Sequence, residues 1–183
     1  MIVPRDPVVL LLVRASLALL FASAAWHKLR DRAAFAAVLA AYRVLPDAAV
    51  PAAAVLVAGT ELVVAAAWVA PGIGSRAALA GTLVLLAIYS ASIAINLARG
   101  RRAIDCGCGI GGMRQPISEW LLVRNLGLAA AAVATLASVN DRPLQWPDAL
   151  TLAGGLAVSA CLWTAAHGLA AASLRVRSVG VPR

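Results

Sequence analysis

Five long apolar stretches, separated by short polar connections, dominate the chain. Each has close to the 20 or so mainly apolar residues that a helix needs to cross a bilayer. Helices are the expected form, because open strands would leave backbone groups without hydrogen-bond partners in lipid. We predict a single integral membrane domain over residues 1–183, an all-α polytopic transmembrane helix bundle. Its spans are expected at residues 7–26, 48–70, 77–98, 120–138 and 149–172.

Composition supports a membrane protein and changes the meaning of the charge. The chain is 62% hydrophobic with a mean hydropathy of +0.88, and only 13% of its residues are charged. Soluble domains carry about 25%. A net charge of +8 would suggest nucleic acid binding in a soluble protein. Here the basic residues lie in short loops beside apolar runs, so we expect them to orient the chain and contact lipid headgroups, with no nucleic acid partner.

The basic residues are distributed unequally between the two faces. With five spans, loops 27–47 and 99–119 and the C-terminus share one face. Eleven of the 16 Lys and Arg residues lie there: Lys28, Arg30, Arg32, Arg43, Arg99, Arg101, Arg102, Arg114, Arg175, Arg177 and Arg183. The positive-inside rule then predicts a multi-pass protein of the cell (inner) membrane with this face in the cytoplasm.

A pair of cysteines in the third loop carries the most specific chemistry, in the stretch Asp105-Cys106-Gly107-Cys108-Gly109. A disulfide across one residue is a strained ring. Strained disulfides are more oxidising, and hence labile or catalytic. We predict a redox pair. Inert thiols in a turn and a metal site with His27 and His167 remain alternatives, although this spacing is tighter than in common zinc motifs and no metal is predicted. Three cysteines exclude a disulfide-dense scaffold, and Cys161, in the middle of the fifth span, is expected to be a small buried apolar residue.

Polar residues of several helices are predicted to lie at the depth of the cysteine pair. A helix rises about 1.5 Å per residue, which brings polar residues of the first, third, fourth and fifth spans to that face, His167 being the one from the fifth. Polar side chains in a membrane usually face the bundle interior, and a nearby guanidinium favours the thiolate form. The alternative is that Arg124 and His27 extend to the headgroups. The expected supporting set is His27, Asn96, Asp105, Gln115, Arg124 and Asn125.

A second polar group lies deeper in the bundle. Arg14 is about 18 Å from the end of the first span, and Glu61 is about 20 Å from the start of the second. The end of the first span and the start of the second lie at the same face of the membrane, so Arg14 and Glu61 are expected at similar depth. Pairing reduces the cost of a charge in lipid, and we predict a buried Arg14–Glu61 ion pair. A structural role is favoured, with proton or quinone handling as the alternative.

Several motifs together resemble one family, the methylamine utilization protein MauE family, within the wider DoxX-like membrane proteins. The resemblance covers roughly residues 10–140. Its motifs are His27-Lys28-Leu29, Ala41-Tyr42-Arg43-Val44-Leu45-Pro46, Glu61, Asn96-Leu97, Arg99-Gly100-Arg101, the cysteine pair, Gln115-Pro116-Ile117-Ser118 and Arg124-Asn125. The resemblance implies a four-helix DoxX-like core plus a fifth helix. It also implies a role in maturing the disulfide-rich periplasmic small subunit of methylamine dehydrogenase, beside a thioredoxin-like partner, MauD.

The working hypothesis is therefore a membrane thiol–disulfide redox component in which Cys106 and Cys108 exchange with a partner. Loop charge places the pair in the cytoplasm, whereas the implied substrate is periplasmic. Either loop charge does not decide the orientation, or the pair passes electrons across the membrane, or its thiols act on a different substrate. The alternatives are a non-enzymatic assembly subunit and a quinone-linked oxidoreductase subunit, with quinone as the one cofactor to consider.

Overall fold

A computed structural model describes residues 6–70, 74–106, 116–138 and 140–179, with the backbone alone for 167, 170, 171 and 173–179. Six α-helices account for most of these residues. A single 3₁₀ turn, Asp47–Ala49, leads into the third helix. The helices are α1 (Pro7–Arg30), α2 (Arg32–Ala41), α3 (Val50–Val69), α4 (Gly74–Ala98), α5 (Glu119–Ala134) and α6 (Trp146–Val179).

Four helices enclose the main apolar core, and a fifth long helix packs outside them. The core draws on α1, α3, α4 and α5, and α6 lies against α1. The predicted all-α bundle with a four-helix core and an added helix is confirmed. The buried core residues are Leu17, Ala18, Phe21, Val64, Ala65, Trp68, Ala78, Leu79, Leu85 and Ala132.

Length and composition make α1, α3, α4 and α6 long and apolar enough to cross a membrane, as expected of a multi-pass protein in a lipid bilayer. The fourth predicted span, 120–138, corresponds to the 16-residue helix α5, which is about 24 Å long. The chain beyond α5 returns to the end of the bundle where α1 begins. A salt bridge there joins Arg142 Nε to Asp6 Oδ2 at 2.9 Å. Thus α5 and the residues after it connect the two ends of the bundle.

The helix boundaries differ from the predicted ones mainly around loop 27–47. The first helix continues to Arg30, and α2 follows within what the apolar pattern left as a loop. Asp31 separates the two helices, since its side chain accepts a hydrogen bond from the Ala34 amide at 2.9 Å. An N-cap of this kind starts a new helix. At the other end of the chain α6 is longer than predicted, with 34 residues.

Close contact between α3 and α4 fixes the middle of the bundle. A methyl group added at Gly81 would lie 2.5 Å from Cγ2 of Val64, so any larger residue would force Val64 or the two helices to shift. Nearby, Trp68 is 1% exposed and its Nε1 donates to the Thr82 hydroxyl at 2.9 Å. The indole is therefore a core element with its one polar atom satisfied.

Candidate functional site at the Cys106 end of the bundle

An apolar pocket of about 170 Å³ lies at the end of the bundle where α1 ends, and is called the Cys106 pocket below. Helices α1 to α5 and the loops before α3 and α5 all contribute to its wall. Its lining residues are Lys28, Phe35, Val38, Leu39, Tyr42, Val44, Leu45, Ala53, Val57, Ile88, Tyr89, Ser92, Ile93, Cys106 and Arg124. The short helix α2 thus forms one side of the pocket.

A buried ion pair stands at the wall of the Cys106 pocket. Lys28 Nζ lies 2.6 Å from Glu61 Oε1 and 2.8 Å from Oε2, and the two residues are 4% and 1% exposed. The Tyr89 hydroxyl donates to Glu61 Oε1 at 2.6 Å. The ammonium also lies 5.2 Å from the Phe35 ring centroid and 5.6 Å from that of Tyr89, within the range of cation–π attraction. The carboxylate is therefore both neutralised and hydrogen-bonded.

The predicted Arg14–Glu61 pair is wrong. Arg14 instead donates to the backbone carbonyls of Trp68, at 3.2 Å, and Ala70, at 3.0 Å, where α3 ends. Helical side chains tilt toward the N-terminus of their own helix. Because α1 and α3 are antiparallel, the side chains of Lys28 and Glu61 converge, whereas that of Arg14 tilts away from Glu61. The guanidinium then meets carbonyls that the end of α3 leaves without helical partners.

Cys106 lies in the wall of the pocket and is 8% exposed. The loop that carries it is closed at its base, because Asp105 forms an isolated bridge with Pro116 and the Ile117 amide donates to the Ile104 carbonyl at 2.9 Å. Cys106 packs in a second apolar cluster with Tyr42, Ile93, Ile117 and Leu121. Of the other predicted site residues in this loop, Cys108 and Gln115 lie outside the described residues.

Arg124 also lines the Cys106 pocket, so the structure brings this predicted residue to the same cavity as Cys106. Its Nε and Nη2 atoms donate to Asn125 Oδ1 at 3.3 and 3.0 Å, and its Cζ lies 5.5 Å from the ring centroid of Trp163 on α6. Asn125 is 2% exposed and donates to the Ser90 hydroxyl at 3.1 Å. This polar chain ties α5 to both α4 and α6.

Asn96 does not line the pocket but forms a hydrogen bond to the backbone of the segment that follows α2. Its Nδ2 donates to the Tyr42 carbonyl at 3.0 Å, and its Oδ1 accepts from Arg101 Nη1 at 2.9 Å. Arg101 Nη2 also donates to the Ala41 carbonyl at 2.8 Å. Gly100, at φ +71°, ends α4 in a left-handed turn that returns Arg101 to this position. The predicted Asn96 thus shapes the pocket indirectly, through Tyr42.

The histidines and the third cysteine do not join this site in the described part of the chain. His27 is half-buried on α1 but does not line the pocket, and the side chain of His167 lies outside the described residues. Among the residues described, no three His, Cys, Asp or Glu side chains cluster closely enough to hold a metal ion. Cys161 was expected to be buried but is exposed on α6, since this helix contacts the bundle along one side only.

Lys28 and Tyr89 are the functional candidates that sequence reasoning missed. The predicted first span ends at Trp26, which assigns Lys28 to the loop that follows it. With the helix extended, Phe21, Ala25 and Lys28 recur at the i, i+4, i+7 spacing of one buried face. That spacing is the sequence signal that could have placed the ammonium inside the bundle.

Comparison with known proteins identifies the family. The family model described as Methylamine utilisation protein MauE matches residues 6–138. The chain is 42% identical over 146 residues to Methylamine utilization protein MauE of Paracoccus denitrificans, covering 80% of this chain and 76% of that one. It is 44% identical over 128 residues to the protein of the same name from Methylorubrum extorquens, covering 69% and 68%. No solved structure gives a significant match. This chain therefore belongs to the MauE family.

Proposed function

We propose that this chain is a membrane thiol–disulfide redox component of methylamine utilisation, which assists disulfide formation in, or maturation of, an exported partner such as the methylamine dehydrogenase small subunit. The family supports the metabolic context. The observation that carries the redox role is the position of Cys106, in the wall of a pocket that is also lined by Arg124 and by Lys28, the cationic member of the buried ion pair. A thiol with a structural role alone needs no such surroundings.

The burial of Cys106 suggests that the two thiols have different roles in the exchange. At 8% exposure its sulfur is poorly accessible to a sulfur atom of another protein. We assign exchange with a protein partner to Cys108 and resolution to Cys106. A partner thiolate attacks the Cys106–Cys108 disulfide at Cys108 and forms a mixed disulfide, which releases the Cys106 thiolate. A second partner thiolate then attacks the partner sulfur of the mixed disulfide, which forms the partner's disulfide and releases Cys108, so that Cys106 and Cys108 are left as two free thiols.

Trapping the mixed disulfide tests this division. In Cys106→Ser no internal disulfide can form, but the Cys108 thiolate can reach the same mixed disulfide by the reverse exchange, attacking the disulfide of the oxidised partner. No Cys106 thiolate is then present to release the partner, so a covalent complex should accumulate on non-reducing gels. Cys108→Ser should give no complex, and Cys161→Ser is the matched control that should behave as the unmodified protein. The expected partner is a thioredoxin-like protein of the MauD type, identified by mass spectrometry. Growth on methylamine that survives the Cys106→Ser/Cys108→Ser double variant would refute the redox role and favour an assembly subunit.

We infer the side of the membrane on which this chemistry occurs from loop charge. Lys28 is paired inside the bundle and contributes no loop charge, but Arg30, Arg32, Arg43, Arg99 and Arg102 are exposed at the Cys106 end. By the positive-inside rule we infer that this end faces the cytoplasm. Exchange there requires a relay to the exported partner, whereas a periplasmic location makes the exchange direct.

Labelling in intact spheroplasts decides between these orientations. In a chain without native cysteines, Ala103→Cys marks the Cys106 end and Leu144→Cys marks the opposite end, and both positions are exposed. A membrane-impermeant maleimide should label Leu144→Cys and not Ala103→Cys. The reverse pattern would place the thiol pair in the periplasm.

A further inference from the structure

We propose that the Cys106 pocket binds the ring of a lipid-soluble quinone, with a ring carbonyl accepting a hydrogen bond from Lys28. This inference rests on the proposed redox function, because it names the electron acceptor that would reoxidise the thiol pair. Three observations carry it: the size and opening of the pocket, the donor that the ion pair leaves available, and the position of Cys106 in the same wall.

The size and opening of the pocket fit one six-membered ring that arrives through the bilayer. The volume is about 170 Å³, and an engineered apolar cavity of about 150 Å³ takes up benzene. Val44, Leu45 and Ile88 line the pocket and are 42%, 41% and 50% exposed, so the cavity opens on the apolar surface of the bundle. A lipid-soluble ligand can therefore enter from the membrane and leave its tail outside.

The ion pair supplies a hydrogen-bond donor and selects a neutral ligand. Lysine has three N–H donors. Two of those of Lys28 are directed to the Glu61 carboxylate, and no acceptor for the third is found among the described residues. Because Lys28 and Glu61 together carry no net charge, an anionic ligand beside them would be a further buried charge, which is costly. Arg124 offers little compensation, since its guanidinium is engaged by Asn125 and Trp163.

Cys106 in the same wall connects the pocket to the thiol chemistry. As the sulfur–sulfur bond between Cys106 and Cys108 forms, the two thiols lose two electrons and two protons, and a bound quinone would take up both and leave as the hydroquinone. The role of Lys28 is then to hold the ring by donating to its oxygen, and Tyr89 packs in the same wall. Glu61 keeps both groups oriented by accepting their hydrogen bonds.

Binding can be tested without any redox turnover. The probe is decylubiquinone, titrated into the purified full-length chain in detergent, with Cys106, Cys108 and Cys161 all changed to serine. Ser92→Phe and Ala53→Phe fill the pocket from α4 and α3. Leu162→Phe, on the exposed face of α6, is the matched control. We expect saturable binding that weakens at least tenfold in each filled variant and is unchanged in the control.

A second variant tests the hydrogen bond rather than the volume. The double change Lys28→Met/Glu61→Gln removes the donor and both charges together, and should weaken decylubiquinone binding about tenfold in protein that still elutes as a single folded species. Binding that does not saturate, or that is equal in the filled variants and the control, would show partition into detergent and overturn the proposal. Trapping of a mixed disulfide by Cys106→Ser needs no quinone, so failure of this inference leaves that result intact.

Discussion

The buried Lys28–Glu61 pair should control the stability of the whole bundle, and its two residues should differ in how well they tolerate loss of the other. Lys28→Met leaves Glu61 with its charge in the interior of α3, eleven residues or about 16 Å from the start of that helix. Glu61→Gln leaves Lys28 only two residues from the end of α1, where a long side chain can extend to the surface.

The expected magnitudes follow from this geometry. Removing one partner of a buried ion pair costs about 3–5 kcal/mol, and we expect Lys28→Met to fall in that range. For Glu61→Gln we expect about 1–3 kcal/mol, since the ammonium can move and the amide oxygen still accepts from Tyr89. The double variant Lys28→Met/Glu61→Gln contains no stranded charge, and should lie within about 2 kcal/mol of the unmodified protein.

A double-mutant cycle measures this coupling. The free energy of unfolding is obtained for the four proteins by titration with a denaturing detergent in mild micelles. Tyr89→Phe, which keeps the ion pair and removes one hydrogen bond, is the matched comparison and should cost less than Lys28→Met. If the double variant is destabilised by the sum of the two single changes, within about 0.5 kcal/mol, the residues are independent and the reasoning is refuted.

Two further predictions concern helix packing and acid sensitivity. Gly81→Ala should destabilise the bundle by about 1–3 kcal/mol, because its methyl group would lie 2.5 Å from Val64; Gly59→Ala, which has open space, should change stability by less than about 1 kcal/mol in the same unfolding assay. The hydrogen bond from Arg142 lowers the folded-state pKa of Asp6 below its ordinary value of 3.8, so the stabilisation is present above pH 3.8 and is lost as the pH falls through the folded value. Asp6→Asn should therefore lower the melting temperature at pH 7, and the difference should shrink as the pH falls below 3.8; a constant difference would contradict the linkage.

The apolar pattern was sufficient for the fold class and for five of the six helices in the described residues. Spanning helices are long and almost wholly apolar, so their existence does not depend on details of packing. The pattern failed at α2, where ten residues beginning at Arg32 form a helix too short to span. It also gave no reason to bury Trp68, whose indole is satisfied by a hydroxyl from the next helix.

The candidate site was predictable in part. Depth along the helices was enough to place Arg124 and Cys106 at one end of the bundle, and both line the same pocket. Depth alone gave the wrong partner for Glu61. Two charges at similar Cα depth need not meet, because the direction of each side chain depends on the direction of its helix.

The sequence by itself determined that this is a multi-pass helical protein of the MauE family with a cysteine pair at one end, since composition, hydropathy and motif order are properties of the chain alone. Only the tertiary structure decided that Lys28, and not Arg14, neutralises Glu61, and that the pair stands at the wall of a pocket shared with Cys106. The physical reason is that a buried charge is satisfied by whichever group the packing of antiparallel helices brings within about 3 Å, a distance that sequence spacing does not determine.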